Sequence, residues 1–268
     1  MRTRKTTRDD IPALKALWEE AFGDEEQDID AFFETLYPGA IGFCAEESGV
    51  LCAMLFALPQ TIVKGEKQLK SAYLYAVATK KEYRGRGYCK ALMAYAEKEL
   101  RKRYFEAAML SPASETLADF YAEQGYTRQG GVRRVLTACP KSAGQATVIG
   151  VQDYAGLRET MLWDVAHVRY DKAQLEYALS GGQCYCLMNG FSMGCAMMQR
   201  RREAEPVRVR ELLPSFDVLP AMAEKLGAGE YEVQTALDQN EGVCWAMLKW
   251  LDKAYPELEP VYMGFALE

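Results

Sequence analysis

Residues 84–89, RGRGYC, decide the fold of this chain because of the segments on either side of them. The apolar run AYLYAVA at 72–78 predicts a strand, and KALMAYAEKEL at 90–100 has apolar residues at helical spacing. A strand, a glycine-rich turn and a helix direct free backbone N–H groups and the positive end of a helix dipole at one point. Arginine and lysine side chains add positive charge there. The pattern predicts a pyrophosphate-binding loop.

Two other phosphate-binding loops do not fit this stretch. A Walker loop requires Gly-Lys-Ser/Thr, whereas Gly87 is followed by Tyr88 and Cys89. A dinucleotide fingerprint requires a third glycine or a small residue three positions after Gly87, where Lys90 stands. If no ligand binds here, the alternative is a flexible, glycine-containing turn whose arginine side chains are solvated.

The spacing Arg-x-x-Gly-x-small resembles the coenzyme A loop of the Gcn5-related N-acetyltransferase (GNAT) family. In that loop Arg84 opens the motif and Gly87 stands where the backbone meets the pyrophosphate. Cys89 departs from the Gly or Ala that is usual in its place. Downstream, the strand-like segment 105–110 and the segment FYAEQGY at 120–126 resemble the second cofactor strand and helix of the family. The resemblance covers residues 1–138.

This resemblance implies a fold, a cofactor and a set of site residues. The fold is α+β, a GNAT-type mixed twisted sheet flanked by helices, with residues 133–138 as the closing strand of the first domain. The co-substrate is acetyl-CoA, held without a metal. Tyr121 protonates the departing thiolate, and a backbone N–H near Val77 stabilises the oxyanion. The expected cofactor-binding residues are Tyr75, Ala76, Val77, Arg84, Gly85, Arg86, Gly87, Tyr88, Cys89 and Ser114.

The pattern of strands and helices partly repeats after residue 138. We expect a linker at 139–146 and a degenerate GNAT-like domain at 147–268, in which LPSF at 213–216 replaces the glycine loop. Pro214 lacks an N–H and no arginine follows it, so this half cannot build the same phosphate site. The order resembles the tandem acetyltransferases of the enhanced-intracellular-survival type, whose terminal carboxylate reaches the active site. That resemblance makes Glu268 a candidate catalytic residue; the alternative is a frayed tail without a role.

Composition limits the classes of function. The 268 residues suit two domains, and 49% apolar with 26% charged residues is typical of a soluble globular protein. No apolar run is long enough for a membrane span, and no secretory signal precedes the polar N-terminus, so we expect a cytoplasmic protein. The net charge of −6 argues against nucleic-acid binding. Eight cysteines without a Cys-x-x-Cys pair and the single His167 give little support to a zinc site or a histidine triad.

The segment that borders the acceptor cleft in the GNAT family is acidic here. Its carboxylates would attract a polycationic acceptor such as an aminoglycoside, a polyamine or a lysine-rich peptide, although a solvated helix face is the alternative. The residues are Asp24, Glu25, Glu26, Asp28, Asp30 and Glu34. We therefore predict an acetyl-CoA-dependent N-acetyltransferase that acts on a primary amine, and the sequence allows an oligomer. The alternatives are a non-catalytic acyl-CoA-binding or regulatory module and a mononucleotide-binding protein.

Overall fold

The chain forms two compact units whose segments alternate along the sequence. The computed structural model describes residues 1–129, 133–139, 144–179, 181–199, 207–236 and 246–265. Unit 1 consists of Met1–Thr61, Leu69–Thr127 and Met247–Tyr255. Unit 2 consists of Ile62–Gln68, Arg128–Ala246 and Pro256–Glu268.

Strands and helices follow one another through both halves of the chain. Up to residue 128 they are β1 (Arg2–Lys5), α1 (Ile11–Phe22), α2 (Glu26–Thr35), β2 (Ile41–Glu47), β3 (Val50–Lys64), β4 (Lys67–Thr79), α3 (Tyr88–Arg101), β5 (Ala107–Leu110), α4 (Glu115–Ala122) and β6 (Thr127–Arg128). After it they are β7 (Arg133–Cys139), β8 (Gln145–Ile149), α5 (Val151–Met161), β9 (His167–Arg169), α6 (Lys172–Leu179), β10 (Gln183–Asn189), β11 (Ser192–Met198), β12 (Val207–Leu213), α7 (Met222–Leu226), β13 (Gly229–Thr235) and β14 (Met247–Trp250).

The first sheet has the strand order β1-β2-β3-β4-β5-β14-β6. Neighbouring strands from β1 to β3 are antiparallel, whereas β4 and β5 run parallel. A parallel pair needs a crossover, and α3 provides it. The apolar face of α3, with Leu92, Met93 and Leu100 fully buried, packs in one core with Phe43 and Leu55 of the strands. This arrangement places the N-terminus of α3 directly after the end of β4.

The second sheet has the order β7-β13-β12-β11-β10-β8. Its core is formed by buried apolar residues such as Leu187, Val209 and Val233. The segment after β12 is a 3-10 helix, Phe216–Ala221, followed by the short α7. The α+β class with two sheets, predicted from the sequence, is confirmed.

The prediction that residues 133–138 close the first sheet is wrong. β7 pairs antiparallel with β13 of the second sheet, with Thr137 opposite Tyr231. The neighbour of β5 in the first sheet is β14, with Met247 opposite Leu110, and both of these side chains are buried. Sequence order favours the nearest strand, but the apolar residues of β14 complete the first core from more than a hundred positions away.

The predicted division into 1–138, 139–146 and 147–268 differs from the two units in three segments. Residues 62–68 and 128–138 lie in unit 2, and residues 247–255 lie in unit 1. Of the predicted linker, Cys139 ends β7 and Gln145 begins β8, while residues 140–143 lie outside the described residues.

Candidate active site

The end of β4 separates from β5. The parallel register between them runs from Ser71 opposite Ala107 to Tyr73 opposite Met109, although β4 continues to Thr79. Ala76 has a φ of +48°, which a residue other than glycine adopts at a cost of about 1–2 kcal/mol. β5 ends at Leu110, so the later residues of β4 extend beyond its last paired position. Residues 75–77, which the family resemblance predicts to bind the cofactor, are half-buried and lie in this part of β4.

The loop after β4 presents unpaired backbone N–H groups. Gly85 and Gly87 have φ values of +73° and +82°, in the left-handed region that favours glycine. A Cβ at either position would meet no protein atom within 4 Å, so the backbone dihedral and not crowding requires glycine here. Gly87 is the N-cap of α3. Among the described residues, no acceptor receives a hydrogen bond from the amides of residues 85–90. The predicted strand, glycine turn and helix are thus confirmed as local structure.

The two loop arginines have different surroundings. The Arg84 Nε donates to the Thr79 carbonyl at 3.0 Å, which leaves the remaining guanidinium N–H groups exposed. Arg86 donates to Glu47 at 3.0 Å, and its guanidinium lies 5.1 Å from the centre of the Tyr83 ring. Glu47 offsets part of the Arg86 charge, so Arg84 is the stronger candidate for contact with an anion.

Tyr88 can face a ligand only through its backbone. Its side chain is buried, and burial followed by the hydrogen bond to Glu47 raises its pKa to about 12. The same hydrogen bond is the main cause that lowers the pKa of Glu47, and Arg86 adds to it. The sequence indicated the position of Tyr88 but not this contact, since Glu47 stands on β2.

Tyr121 lies in the first core beside Cys89. Only 6% of its surface is exposed, and burial raises the pKa of its phenol, with a further contribution from the Cys89 thiol. Burial also raises the pKa of Cys89 to about 11. Within the described part of the chain, the Tyr121 hydroxyl has no hydrogen-bond partner. A protonated, unpartnered phenol can donate a hydrogen bond to a ligand atom that carries negative charge.

A partly buried ion pair lies beside the turn that follows Tyr121. The Tyr126 hydroxyl donates to Glu97 at 3.1 Å, and Lys249 of β14 donates to the same carboxylate at 2.6 Å. The Tyr121 and Tyr126 rings meet edge to face, with 6.1 Å between their centres. Sequence reasoning missed Glu97 and Lys249, and no local signal points to them because 152 positions separate the two residues.

The other predicted site residues are differently placed. Ser114 is the N-cap of α4, and its Oγ accepts a hydrogen bond from the Leu117 N–H at 3.3 Å. A contact of Ser114 with the cofactor stays a prediction. Glu268, predicted as a catalytic residue, lies outside the described residues.

The acidic segment adjoins the end of β4. The ring of Phe32, which lies within this segment, is 5.5 Å from the Tyr75 ring, and Glu20 of the preceding α1 accepts a hydrogen bond from the Lys81 N–H at 2.9 Å. Two of the six predicted carboxylates have partners, since Asp24 accepts from Trp18 and Asp30 pairs with Lys15. The other four, Glu25, Glu26, Asp28 and Glu34, are exposed and form no ion pair with any described residue.

The described residues contain neither a metal-binding cluster nor a membrane-spanning helix. No group of three or more His, Cys, Asp or Glu side chains there is arranged to hold a metal ion. No described helix has both the length and the apolar character that a membrane span needs.

Comparison with known proteins identifies the family of the first half. The family model described as an acetyltransferase (GNAT) domain matches residues 2–128. Among proteins with curated descriptions, none matches this sequence.

Solved structures match nearly the whole chain. A conserved protein of unknown function from Enterococcus faecalis V583 is 16% identical, with a TM-score of 0.76 over 94% of this chain and 73% of the other. A GCN5-related N-acetyltransferase from Anabaena variabilis is 15% identical, with a TM-score of 0.72 over 94% of this chain and 73% of the other. Eis1 from Mycobacterium abscessus is 14% identical, with a TM-score of 0.68 over 94% of this chain and 74% of the other.

These alignments include the second sheet because they cover 94% of the chain. The fold is therefore a GNAT-type domain together with a second, GNAT-like domain. The matched family model adds the identity of the first domain. Residues 2–128 form an acetyltransferase domain of the GNAT family.

Proposed function

We propose that this chain transfers an acetyl group from acetyl-CoA to a primary amine. Acyl transfer from acetyl-CoA is the reaction of the GNAT family to which the first domain belongs. The observation that supports the proposal most strongly is the end of β4, which has no β5 partner and leads into a loop of unpaired amides. A thioester with a diphosphate at its far end matches both features.

Binding and positioning follow from the loop and the strand end. The amides of residues 85–90 and the exposed N–H groups of Arg84 hold the diphosphate at the N-terminus of α3. The pantetheine arm lies along residues 75–77, where β4 lacks its β5 partner. The thioester is thereby held in one orientation beside the amine, and such positioning supplies a large share of the rate enhancement in two-substrate reactions.

The chemical step forms a C–N bond and breaks the C–S bond. A neutral amine attacks the thioester carbonyl, and the N–H of Val77 stabilises the oxyanion; a well-aimed donor of this kind contributes about 2.7–4 kcal/mol. Collapse of the tetrahedral intermediate releases the thiolate of coenzyme A, which takes a proton from Tyr121. Burial raises the pKa of this phenol, so it is protonated at neutral pH but is a weaker acid than a free tyrosine, and the transfer relies on the position of the sulfur beside the hydroxyl.

The proton that the amine loses goes to a carboxylate or to water. Our candidate carboxylate is the chain terminus at Glu268. An extension of the chain by a few glycines after Glu268 would move the terminal carboxylate away. We expect turnover to fall while the Kd for coenzyme A stays unchanged; full activity of the extended chain would exclude a catalytic terminus.

A polycationic amine is our proposed acceptor. Four exposed carboxylates without ion-pair partners among the described residues lie on the α1–α2 segment: Glu25, Glu26, Asp28 and Glu34. The segment adjoins the end of β4 through the contact of the Phe32 ring with the Tyr75 ring. Clustered like charges raise the local concentration of a ligand of opposite charge, and salt weakens this effect.

One assay tests the proposal and its alternatives together. The release of free thiol from acetyl-CoA is followed with spermidine, an aminoglycoside, a lysine-rich peptide and a neutral primary amine as acceptors. We expect turnover with the cationic amines and a rise of KM with salt. Thermal shifts with coenzyme A, ATP and NAD run in parallel. Stabilisation by coenzyme A without turnover of any amine would favour a non-catalytic acyl-CoA-binding module, and stronger stabilisation by ATP would favour a mononucleotide-binding protein.

A further inference from the structure

Unit 1 contains a cavity at the opposite end of α3 from the glycine loop. We call it the basal cavity; its volume is about 580 Å³. Its lining residues are Lys5, Thr6, Thr7, Arg8, Ile11, Phe33, Tyr37, Pro38, Ala40, Ile41, Gly42 and Arg103. Arg103 follows the C-terminus of α3, whereas the loop lies at its N-terminus. Since α3 has 14 residues, its two ends are about 21 Å apart, and the basal cavity is separate from the candidate active site.

The charged side chains of the basal cavity are all positive. They are Lys5, Arg8 and Arg103, and no Asp or Glu is among the lining residues. Lys5 pairs with Glu99 at 2.8 Å. In the described part of the chain, no partner engages the guanidinium of Arg8 or of Arg103, and both are exposed. Two uncompensated arginines in a chain of net charge −6 favour an anion at this position.

The remaining wall is largely apolar. Ile11, Phe33 and Ile41 lie on three different elements of unit 1, and Pro38 and Ala40 connect α2 to β2. The volume falls within the range of about 300–1,000 Å³ that is usual for sites of small organic ligands. An inorganic anion has no apolar part that could contact this wall. The cavity therefore matches a ligand with both a charged and an apolar part.

The floor of the basal cavity is fixed by close contacts. The Thr6 N–H donates to the Gly42 carbonyl at 2.9 Å, and the Thr6 and Tyr37 hydroxyls lie 3.3 Å apart. A Cβ at Gly42 would lie 2.1 Å from the Thr6 Oγ1, so only glycine allows this approach. A preformed cavity loses little conformational entropy when it binds a ligand.

We propose that the basal cavity binds an organic anion with an apolar body, such as an aryl or alkyl carboxylate. Arg8 and Arg103 hold the carboxylate, and the apolar body lies against Phe33 and Ile41. The Arg–carboxylate contact supplies charge-assisted hydrogen bonds, and the wall supplies apolar burial. This site is additional to the proposed acetyl transfer and does not depend on it.

Calorimetry on the full chain tests the site with 4-phenylbutyrate as the probe and 4-phenylbutanol as its neutral counterpart. We expect saturable binding of one carboxylate per chain, unchanged by saturating coenzyme A. Arg8→Ala and Arg103→Ala should each raise the Kd at least about tenfold, the loss of one charge-assisted contact. Ala40→Trp should abolish binding because it fills the cavity without a change of charge. Lys98→Ala, which removes an exposed cation of α3 outside the lining, is the matched control and should leave the Kd unchanged.

Four results would overturn the proposal. They are the absence of saturable carboxylate binding at millimolar concentration, equal binding of the alcohol, displacement of the probe by coenzyme A, and an unchanged Kd in both arginine variants. Circular dichroism of each variant separates loss of the site from loss of the fold. Because the readout is binding of the carboxylate alone, failure here is distinguishable from failure of the acetyltransferase assay.

Discussion

The two units contain a strand, a connection and a helix in the same order, yet only one of them is built to hold a diphosphate. In unit 1, β4 leads through two left-handed glycines into α3, a helix of 14 residues. In unit 2, β12 leads through Pro214 into a 3-10 helix and then the five-residue α7. Pro214 has no N–H, and the Ser215 Oγ accepts the hydrogen bond of the Asp217 N–H. One amide is thus absent from the connection of unit 2, and a second is already engaged.

The pairing of the strands on either side of these connections also differs between the two units. The register of β4 with β5 ends at Tyr73, whereas β12 and β13 pair up to Val209, shift register there, and pair again at Leu212 opposite Thr235. The Thr235 Oγ1 also donates to the Leu212 carbonyl at 2.8 Å. The end of β4 therefore lacks a β5 partner, whereas the end of β12 is hydrogen-bonded to β13. The order of elements therefore predicts the fold of a unit but not its ability to bind a ligand.

The largest expected effect is a loss of kcat when Tyr121 of unit 1 is replaced, compared with the same replacement of Tyr185 in unit 2. Tyr121→Phe removes the proton donor, and we expect kcat to fall by about 10²–10⁴-fold, the usual contribution of a general acid. The Kd for coenzyme A should stay within about twofold, because the phenol does not hold the diphosphate. The matched control is Tyr185→Phe, another buried tyrosine, whose hydroxyl donates to Gln183. Unchanged turnover in Tyr121→Phe would remove the assignment.

A pair of glycine variants tests the loop itself. Gly87 and Gly23 have nearly the same backbone conformation, with φ/ψ of +82°/+6° and +71°/+19°, and a Cβ at either meets no protein atom within 4 Å. Valine strains both positions by about 1–2 kcal/mol. We expect Gly87→Val to raise the Kd for coenzyme A at least about thirtyfold, because the strained loop no longer aims its amides, while Gly23→Val leaves it unchanged. Equal affinity in both variants, measured by calorimetry, would contradict the role of the loop.

Replacement of the two loop arginines should weaken the binding of coenzyme A by smaller and unequal factors. Arg84→Ala should weaken coenzyme A about tenfold, the loss of one charged hydrogen bond at an exposed site. Arg86→Ala should weaken it about threefold or less, since Glu47 already offsets its charge. Affinity measured at two salt concentrations checks the charge contribution. A larger effect of Arg86→Ala than of Arg84→Ala would show that the Glu47 contact breaks when the ligand binds.

The smallest effect concerns acid stability. The hydrogen bond from Arg4 is the main cause that lowers the pKa of Asp10 from 3.8 to about 2. A carboxyl with a lowered pKa stabilises the fold above its unfolded value of 3.8, and this stabilisation is lost as the pH falls towards 2. Asp10→Asn should therefore lower the free energy of unfolding by about 1 kcal/mol at pH 7, the upper range for a partly exposed ion pair. In urea titrations the difference from the wild-type chain should shrink between pH 5 and pH 3; a constant difference would contradict the assignment.

Local features of the site were readable from the sequence. The glycine spacing at 84–89 and the helical periodicity after it predicted the loop and α3, because dihedral preferences and amphipathic patterns act within a few residues. Tyr121 was found through the family resemblance of its helix. Both predictions concern segments whose structure is decided by neighbours in the chain.

Contacts between distant segments were not readable in the same way. The pairing of β14 with β5 and the contact of Lys249 with Glu97 join residues that are far apart in the chain. Ala76 adopts a left-handed φ although it is not glycine, so its residue type does not predict this conformation. The basal cavity collects residues from β1, α1, α2, β2 and the turn after α3, so no single motif indicates it. In each case packing between elements, and not local preference, determines the result.

A crystal structure with coenzyme A bound tests the central claim most directly. The account predicts diphosphate oxygens within about 2.7–3.2 Å of the backbone nitrogens at residues 87–89, the range of an N–H···O hydrogen bond, with the pantetheine arm beside residues 75–77. A diphosphate bound in unit 2, or at any other surface of unit 1, would contradict it.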